Sequence, residues 1–120
     1  MKERIYIIGP YCPKDCSLHN AVRIAQHNVD NAIEVGNRLI EQGNYVFVPH
    51  LSHYIHTHYS CKTDYGKWWI EEDLTFLDYW ATAVYLLKGW TNSDGSLKEF
   101  ERAKILGLKI MGEKDEKEDM

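Results

Sequence analysis

The chain reads as an α/β domain: a three-layer sandwich with a mainly parallel, four- to five-stranded sheet, Rossmann-like or flavodoxin-like. Three observations predict this. Short apolar runs near residues 4–8, 45–48, 83–87 and 108–111 alternate with longer stretches whose apolar residues recur at helical spacing. The runs are largely apolar at successive positions rather than alternate ones, as strands covered on both faces require. Each run is closed by a turn residue, at Gly9-Pro10, Pro49, Gly89 and Gly112. The order β-α-β-α-β-α-β then puts helices on both sides of a parallel sheet and ligand sites beyond the carboxyl ends of its strands.

Taken in order, Arg4-Ile5-Tyr6-Ile7-Ile8 is the first strand, and a loop with two prolines and two cysteines runs from Gly9 to about Leu18. A long helix follows, its predicted stripe being Ala21, Ile24, Ala25, Ala32, Ile33, Val35, Leu39 and Ile40, ended at Gly43-Asn44. Tyr45-Val46-Phe47-Val48 is the second strand. The least regular part runs from His50 to about Asp64 and holds four of the six histidines. Trp68, Trp69, Ile70, Leu74 and Leu77 mark a second helix, interrupted near Tyr79-Trp80. Ala83 to Leu87 is the central strand, and Thr91-Asn92-Ser93-Asp94-Gly95-Ser96 is a polar turn. The last helix carries Leu97, Phe100, Ala103, Ile105 and Leu106 on one side, and Leu108 to Met111 is a final short strand.

At 120 residues the chain has room for one domain with one core, over 1–112, followed by a charged tail at 113–120 that cannot bury anything. A formal charge of -4 gives no electrostatic reason to expect a nucleic-acid polymer as partner. No apolar run approaches the roughly 20 residues of a membrane span. Cys12, Cys16 and Cys61 cannot all pair internally, and a charged segment leads straight into the first strand instead of a secretory leader. Cytoplasmic location with reduced thiols is the expectation. Trp68, Trp69, Trp80 and Trp90 suit core or subunit-interface anchors, so a homodimer or larger homo-oligomer is expected.

The chemistry concentrates between Tyr85 and Leu106. Strand, Gly-bearing turn and helix together aim backbone N–H groups and the positive end of a helix at a bound anion. Glu99 lies one turn into that helix, where a carboxylate can face the crevice the loop opens onto. It can equally be a solvated helix carboxylate, the usual fate of Glu.

Four segments in order carry a resemblance: Ile5-Tyr6-x-x-Gly9-Pro10-Tyr11; Phe47-Val48-Pro49-His50-Leu51-Ser52-His53; Asp73-Leu74; and Gly89-Trp90-x-x-Ser93-x-Gly95-x-x-x-Glu99-x-x-x-Ala103. Over roughly residues 4–111 the chain resembles the nucleoside 2-deoxyribosyltransferase superfamily. Within it, the chain looks most like a small branch labelled a domain of unknown function, with the deoxyribonucleoside 5′-monophosphate N-glycosidases as more distant relatives. The resemblance implies a small-molecule nucleoside or nucleotide as substrate and no cofactor. Glu99 falls on the carboxylate that attacks the anomeric carbon and displaces the base. Tyr6 matches a tyrosine that hydrogen-bonds this nucleophile, and Asp73 an acid that assists departure or recognition of the base. Ser93 and Gly95, with Ser96 beside them, match the loop that holds the 5′ end of the sugar. Gly9, Pro10 and Tyr11 leave from the same sheet edge, and His50 and His53 line the base pocket or close its loop.

Ser93 bears on the substrate, because the nucleoside transferases carry an aspartate there and the monophosphate hydrolases a serine. A carboxylate repels a 5′-phosphate, whereas a hydroxyl donates to it. The chain also departs from the pattern. Ala81 and Thr82 stand where many members have an aspartate before the central strand. Pro10-Tyr11-Cys12-Pro13-Lys14 replaces the glycine- and arginine-bearing phosphate loop of the monophosphate hydrolases. Other readings stay open: Tyr6 as a packed strand residue, Asp73 as a helix partner of Glu71 and Glu72, and a nucleotide-binding module without turnover. A zinc-binding or interaction protein using His50, His53, His56, His58 and Cys61 is a further alternative, although that spacing matches no established finger pattern and no metal is assigned.

Overall fold

The structure is a computed structural model that describes residues 2–12, 17–54 and 65–113. Its elements follow the expected alternation. They are β1 (Arg4–Ile8), α1 (Leu18–Glu41), β2 (Tyr45–Phe47), α2 (Tyr65–Tyr79), β3 (Ala83–Leu86), α3 (Asp94–Leu106) and β4 (Lys109–Gly112). Short 3₁₀ turns at Pro49–Leu51 and Trp90–Asn92 lie between them. The strands form one parallel sheet in the order β2-β1-β3-β4. In register, Tyr6 stands between Phe47 of β2 and Val84 of β3.

Strand side chains alternate between two faces, and both faces are apolar here. Ile5, Ile7, Ala83, Tyr85 and Leu87 face α1, where Ala32, Val35 and Leu39 cover them. Tyr6, Ile8, Val84 and Leu86 face the other way, onto Leu77 of α2 and Ala103 of α3. Each fully buried aliphatic side chain is worth roughly 1.5–3 kcal/mol, so a strand apolar on both faces needs a helix layer on each. The fold is therefore the three-layer α/β arrangement with a parallel sheet.

Two helix faces differ from the sequence reading. In α1 the buried stripe is Ala25, Val29, Ala32, Val35 and Leu39, whereas Ile24, Ile33 and Ile40 are 37%, 38% and 55% exposed. One narrow stripe is all a helix can lay on a sheet, and these isoleucines fall on its flanks. In α3 the buried positions are Ser96 and Ala103, while Leu97, Ile105 and Leu106 are exposed. At about 100° per residue, Ile105 lies roughly 200° round the helix from Ala103.

The ends of the elements bring two loops together. Gly89, at φ +87°, turns the chain out of β3, and a Cβ there would lie 3.7 Å from Cγ of Pro10. The N–H of Leu87 continues the sheet ladder onto the carbonyl of Ile8 at 2.8 Å. Gly9, the next residue, leaves no room for a side chain against Leu87. Thr82 is at the opposite, amino-terminal edge, where its hydroxyl donates to Glu3 at 2.7 Å and accepts from the N–H of Arg4 at 2.8 Å. The altered Ala81-Thr82 segment thus ties strand ends together well away from α3's first turn.

Lys14, Cys16, His56, His58, Cys61 and the tail beyond Glu113 lie outside the described residues. Among the described residues, no cluster of three or more His, Cys, Asp or Glu is arranged to hold a metal ion. No helix among them is long and apolar enough to cross a membrane.

A Cβ at residue 9 would sit 2.5 Å from Cδ1 and 2.7 Å from Cβ of Leu87. Gly9→Ala is therefore expected to lower stability by roughly 1–3 kcal/mol, through overpacking against a side chain locked in the core. A urea titration reads this as a lower midpoint with an unchanged slope. An unchanged midpoint would mean that Leu87 moves aside freely.

Candidate active site

β1 is an inner strand. The chain leaves it for β2 on one side and then crosses to β3 on the other. The loops leaving β1 and β3 therefore diverge at a switch point, where parallel α/β sheets place their ligand crevices. Gly9-Pro10-Tyr11 leaves from β1 there, and Leu87 to Ser93 from β3. On the α3 side of this edge stand Ser93, Ser96 and Glu99, and on the α1 side Tyr11, His50 and His53.

Ser93 has extended backbone angles and caps α3. Its Oγ accepts the N–H of Ser96 at 3.3 Å, which leaves the hydroxyl proton available to a ligand. Gly95 is exposed in the first turn, its would-be Cβ no closer than 4.0 Å to Oγ of Ser93. Ser96 is buried on the inner face, and its Oγ has no hydrogen-bond partner among the described residues.

One turn further along the same face is Glu99, which is half-buried. Tyr6 approaches it from β1. With its ring fully buried, its hydroxyl must find a partner, and it donates to Oε2 of Glu99. Asp73 of α2 is also half-buried. One turn on, Phe76 stacks on Phe47 with ring centroids 4.0 Å apart, and Phe47 lies 5.6 Å from the ring of Tyr6. The three sequence-predicted catalytic residues are thus drawn together by β1, α2 and α3, beside a wall of aromatic rings.

That setting keeps water away and shapes the charges. Burial pushes the Glu99 carboxyl from 4.5 up to about 7, with the Tyr6 hydrogen bond opposing the rise. Burial, then the negative charge of Glu99, then that of Glu72, push Asp73 from 3.8 up to about 7. Tyr6 is driven well above its ordinary range by burial and by the charges of Glu99 and Asp73, so it remains a donor. Two acids whose ionisation is mutually opposed titrate as a pair. Near neutral pH one carboxylate and one carboxylic acid coexist, which is what bond cleavage with protonation of a leaving group requires.

The α1 side is a hydrogen-bonded scaffold. His50 is buried, and its Nε2–H is shared between the carbonyls of Gly9 and Pro10, each at 3.2 Å. Its Nδ1 is buried with no partner among the described residues, and burial lowers its pKa, so the ring is neutral. The Tyr11 hydroxyl and His53 Nδ1 are 2.5 Å apart, and Asn28 donates to the Tyr11 carbonyl at 2.7 Å. His50 therefore shapes the loop after β1, and His53 holds its tyrosine. Sequence reading missed Gln26, Asn28 and Phe76. Their partners in the loops and in β2, namely Tyr11, His53 and Phe47, are 17 to 29 residues away, and no local pattern announces such pairs.

A family model described as Domain of unknown function (DUF1937) matches residues 3–112, nearly the whole folded unit. No curated protein matches the chain.

A carboxyl that stays protonated in the fold, but ionises in the unfolded chain, costs stability once the pH exceeds its unfolded value. For Glu99 the loss begins near 4.5 and is complete above about 7. Stability from this group is thus expected to fall by on the order of 3 kcal/mol between about pH 4.5 and about pH 7. Glu99→Gln should remove that fall. Comparing urea midpoints of the two proteins across this range cancels His50, whose lowered pKa acts in the opposite sense, and reads Glu99 together with the part of the Asp73 shift that Glu99 causes. A variant that is instead less stable at the alkaline end would show that the fold favours the ionised form.

Proposed function

Because the chain belongs to the family described as a domain of unknown function (DUF1937), we propose its activity from the site itself. The reaction is cleavage of the N-glycosidic bond of a (deoxy)nucleoside 5′-monophosphate or nucleoside, releasing or exchanging the base. The observation that carries this is the hydrogen bond from buried Tyr6 to Glu99, beside a second carboxyl at Asp73 whose ionisation Glu99 opposes. The motifs Ile5-Tyr6-x-x-Gly9-Pro10-Tyr11 and Ser93-x-Gly95-x-x-x-Glu99 support it, as does their similarity to nucleoside 2-deoxyribosyltransferases.

Glu99 is the nucleophile. As the C–N bond lengthens the sugar gains oxocarbenium character, which a carboxylate beneath the anomeric carbon stabilises by charge and then by a bond. Tyr6 aims that carboxylate without taking its charge, since its own proton is held far above neutral pH. Asp73 is the acid that protonates the departing base. Water, or a second base, then attacks the glycosyl ester and frees Glu99. Ser93 and the first-turn N–H groups of α3 receive the 5′ end of the sugar, and a free serine proton there favours a phosphate over a bare hydroxyl.

Purified protein incubated with the common nucleosides and 5′-monophosphates, read by chromatography for free base, tests the proposal. Base release is expected from at least one 2′-deoxy substrate. Glu99→Ala should reduce it by at least about a thousandfold, and Tyr6→Phe by about ten- to a hundredfold. The pH–rate profile should be bell-shaped with its maximum near 7, and Asp73→Asn should remove the alkaline limb along with most of the rate. Thermal stabilisation by a nucleotide with no base released over long incubation would instead indicate a binding module without turnover.

A further inference from the structure

Across the switch point from Glu99, a chain of hydrogen bonds runs from the surface of α1 to the loop after β1. Asp30 Oδ1 accepts from Gln26 Nε2 at 2.9 Å, and the same nitrogen donates to the Tyr54 hydroxyl at 3.2 Å. Gln26 Oε1 lies 3.1 Å from His53 Nε2, and His53 Nδ1 lies 2.5 Å from the Tyr11 hydroxyl. The Tyr11 and His53 rings meet edge to face at 5.5 Å.

The chemistry of these groups orders the protons along the chain when the His53 ring is neutral. A carboxylate only accepts, so the nitrogen of Gln26 must face Asp30, and its oxygen must face His53. That oxygen can only accept, so in its neutral form His53 carries its proton on Nε2 and presents a bare lone pair at Nδ1. Tyr11 must then give its single hydroxyl proton to His53. Its oxygen is left with lone pairs alone.

We infer that Tyr11 is a committed hydrogen-bond acceptor at the ligand edge of the sheet, set to recognise an N–H donor on an uncharged nucleobase. The class of ligand follows from the polarity. An oxygen with no proton to offer repels phosphate and carboxylate and selects the amino group of a base. The loop after β1 therefore reads the base, and the anion-binding role is left to the far side of the switch point. Asn28 holds the Tyr11 backbone and His50 the two residues before it, so the acceptor is fixed in space as well as in polarity. The inference rests on the nucleotide reading of the site but not on turnover.

The test is therefore made on binding. Affinities of the intact protein are measured by calorimetry for two matched pairs: deoxyadenosine monophosphate against its analogue lacking the amino group, and deoxyguanosine monophosphate against deoxyinosine monophosphate. In at least one pair the amino-bearing member should bind about tenfold tighter or more, the worth of one desolvated hydrogen bond. Tyr11→Phe keeps the ring and should erase that preference. Gln26→Lys, on the half-exposed side of α1, puts a donor against His53 Nε2 and frees the Tyr11 proton, so the preference should vanish or invert while the melting temperature holds. A merely structural network would not produce that change. Equal affinities within both pairs, no measurable binding of any of the four, or a preference that survives Tyr11→Phe would overturn the inference. Base release without discrimination would overturn it and leave the glycosidase reading standing. Discrimination without base release would do the reverse.

Discussion

A tyrosine on a central strand, covered on every side, cannot leave its hydroxyl unpaired without a cost of about 1–3 kcal/mol. In this protein the obligation falls on Tyr6, and only Glu99 meets it among the described residues. The bond ties β1 to α3 and draws a carboxylate inward that α3 would otherwise hold in solvent. Removing either partner would strand the other, which makes the pair costly to lose whatever it does chemically. Because the tyrosine donates rather than neutralises, the carboxylate remains capable of carrying charge where a sugar cation would develop. Under the proposed reaction, stability and reactivity would be two consequences of this one contact. The rings of Phe47, Phe76 and Trp80 pack in a layer beside Tyr6, and burial lifts the two carboxyls to about 7.

Much of the frame was legible because it is local. The four strands were visible as apolar runs closed by turn residues, and their two-faced character announced a parallel sheet between helices. The end of α1 was visible in Gly43, which takes φ +96°. The helix faces were read less well. Ile24, Ile33, Ile40 and Ile105 count as core by hydrophobicity alone, but a helix resting on a sheet buries a narrow stripe and leaves such residues on its rim. Ser96 stands in the turn where the sequence points to a ligand residue, and its hydroxyl is buried on the inner face of α3, one turn ahead of Glu99.

What the sequence could not display was pairing across distance. Tyr6 and Glu99 are 93 positions apart, and Tyr11 and His53 are 42 apart. The first pair was foreseen only through likeness to a known family. The second is not foreseeable from the sequence, which points to His53 as lining a base pocket or closing its loop, with a metal site the weaker alternative, and names no partner for it. His50 and His53 both turn to the loop after β1, and each has a nitrogen committed to that loop. Neither ring nitrogen used there is available for a metal while those bonds persist.

The two sides of the switch point differ in electrical character, and the difference divides the labour of the site. On the α3 side, a helix N-terminus, a capping serine with a spare proton and two opposed carboxyls deal in charge. On the α1 side Tyr11, His53 and Gln26 form one hydrogen-bonded chain that ends on Asp30 at the surface. A ligand with a charged end and an uncharged planar end fits such a division in only one orientation. Reversed, it would set its anion against the bare lone pairs of Tyr11 and its base against the helix end. Orientation is what glycosidic cleavage needs most, because the nucleophile must meet the anomeric carbon from the face opposite the base. Under the proposed reaction, a fixed polarity on one side and a carboxyl pair on the other would supply that orientation.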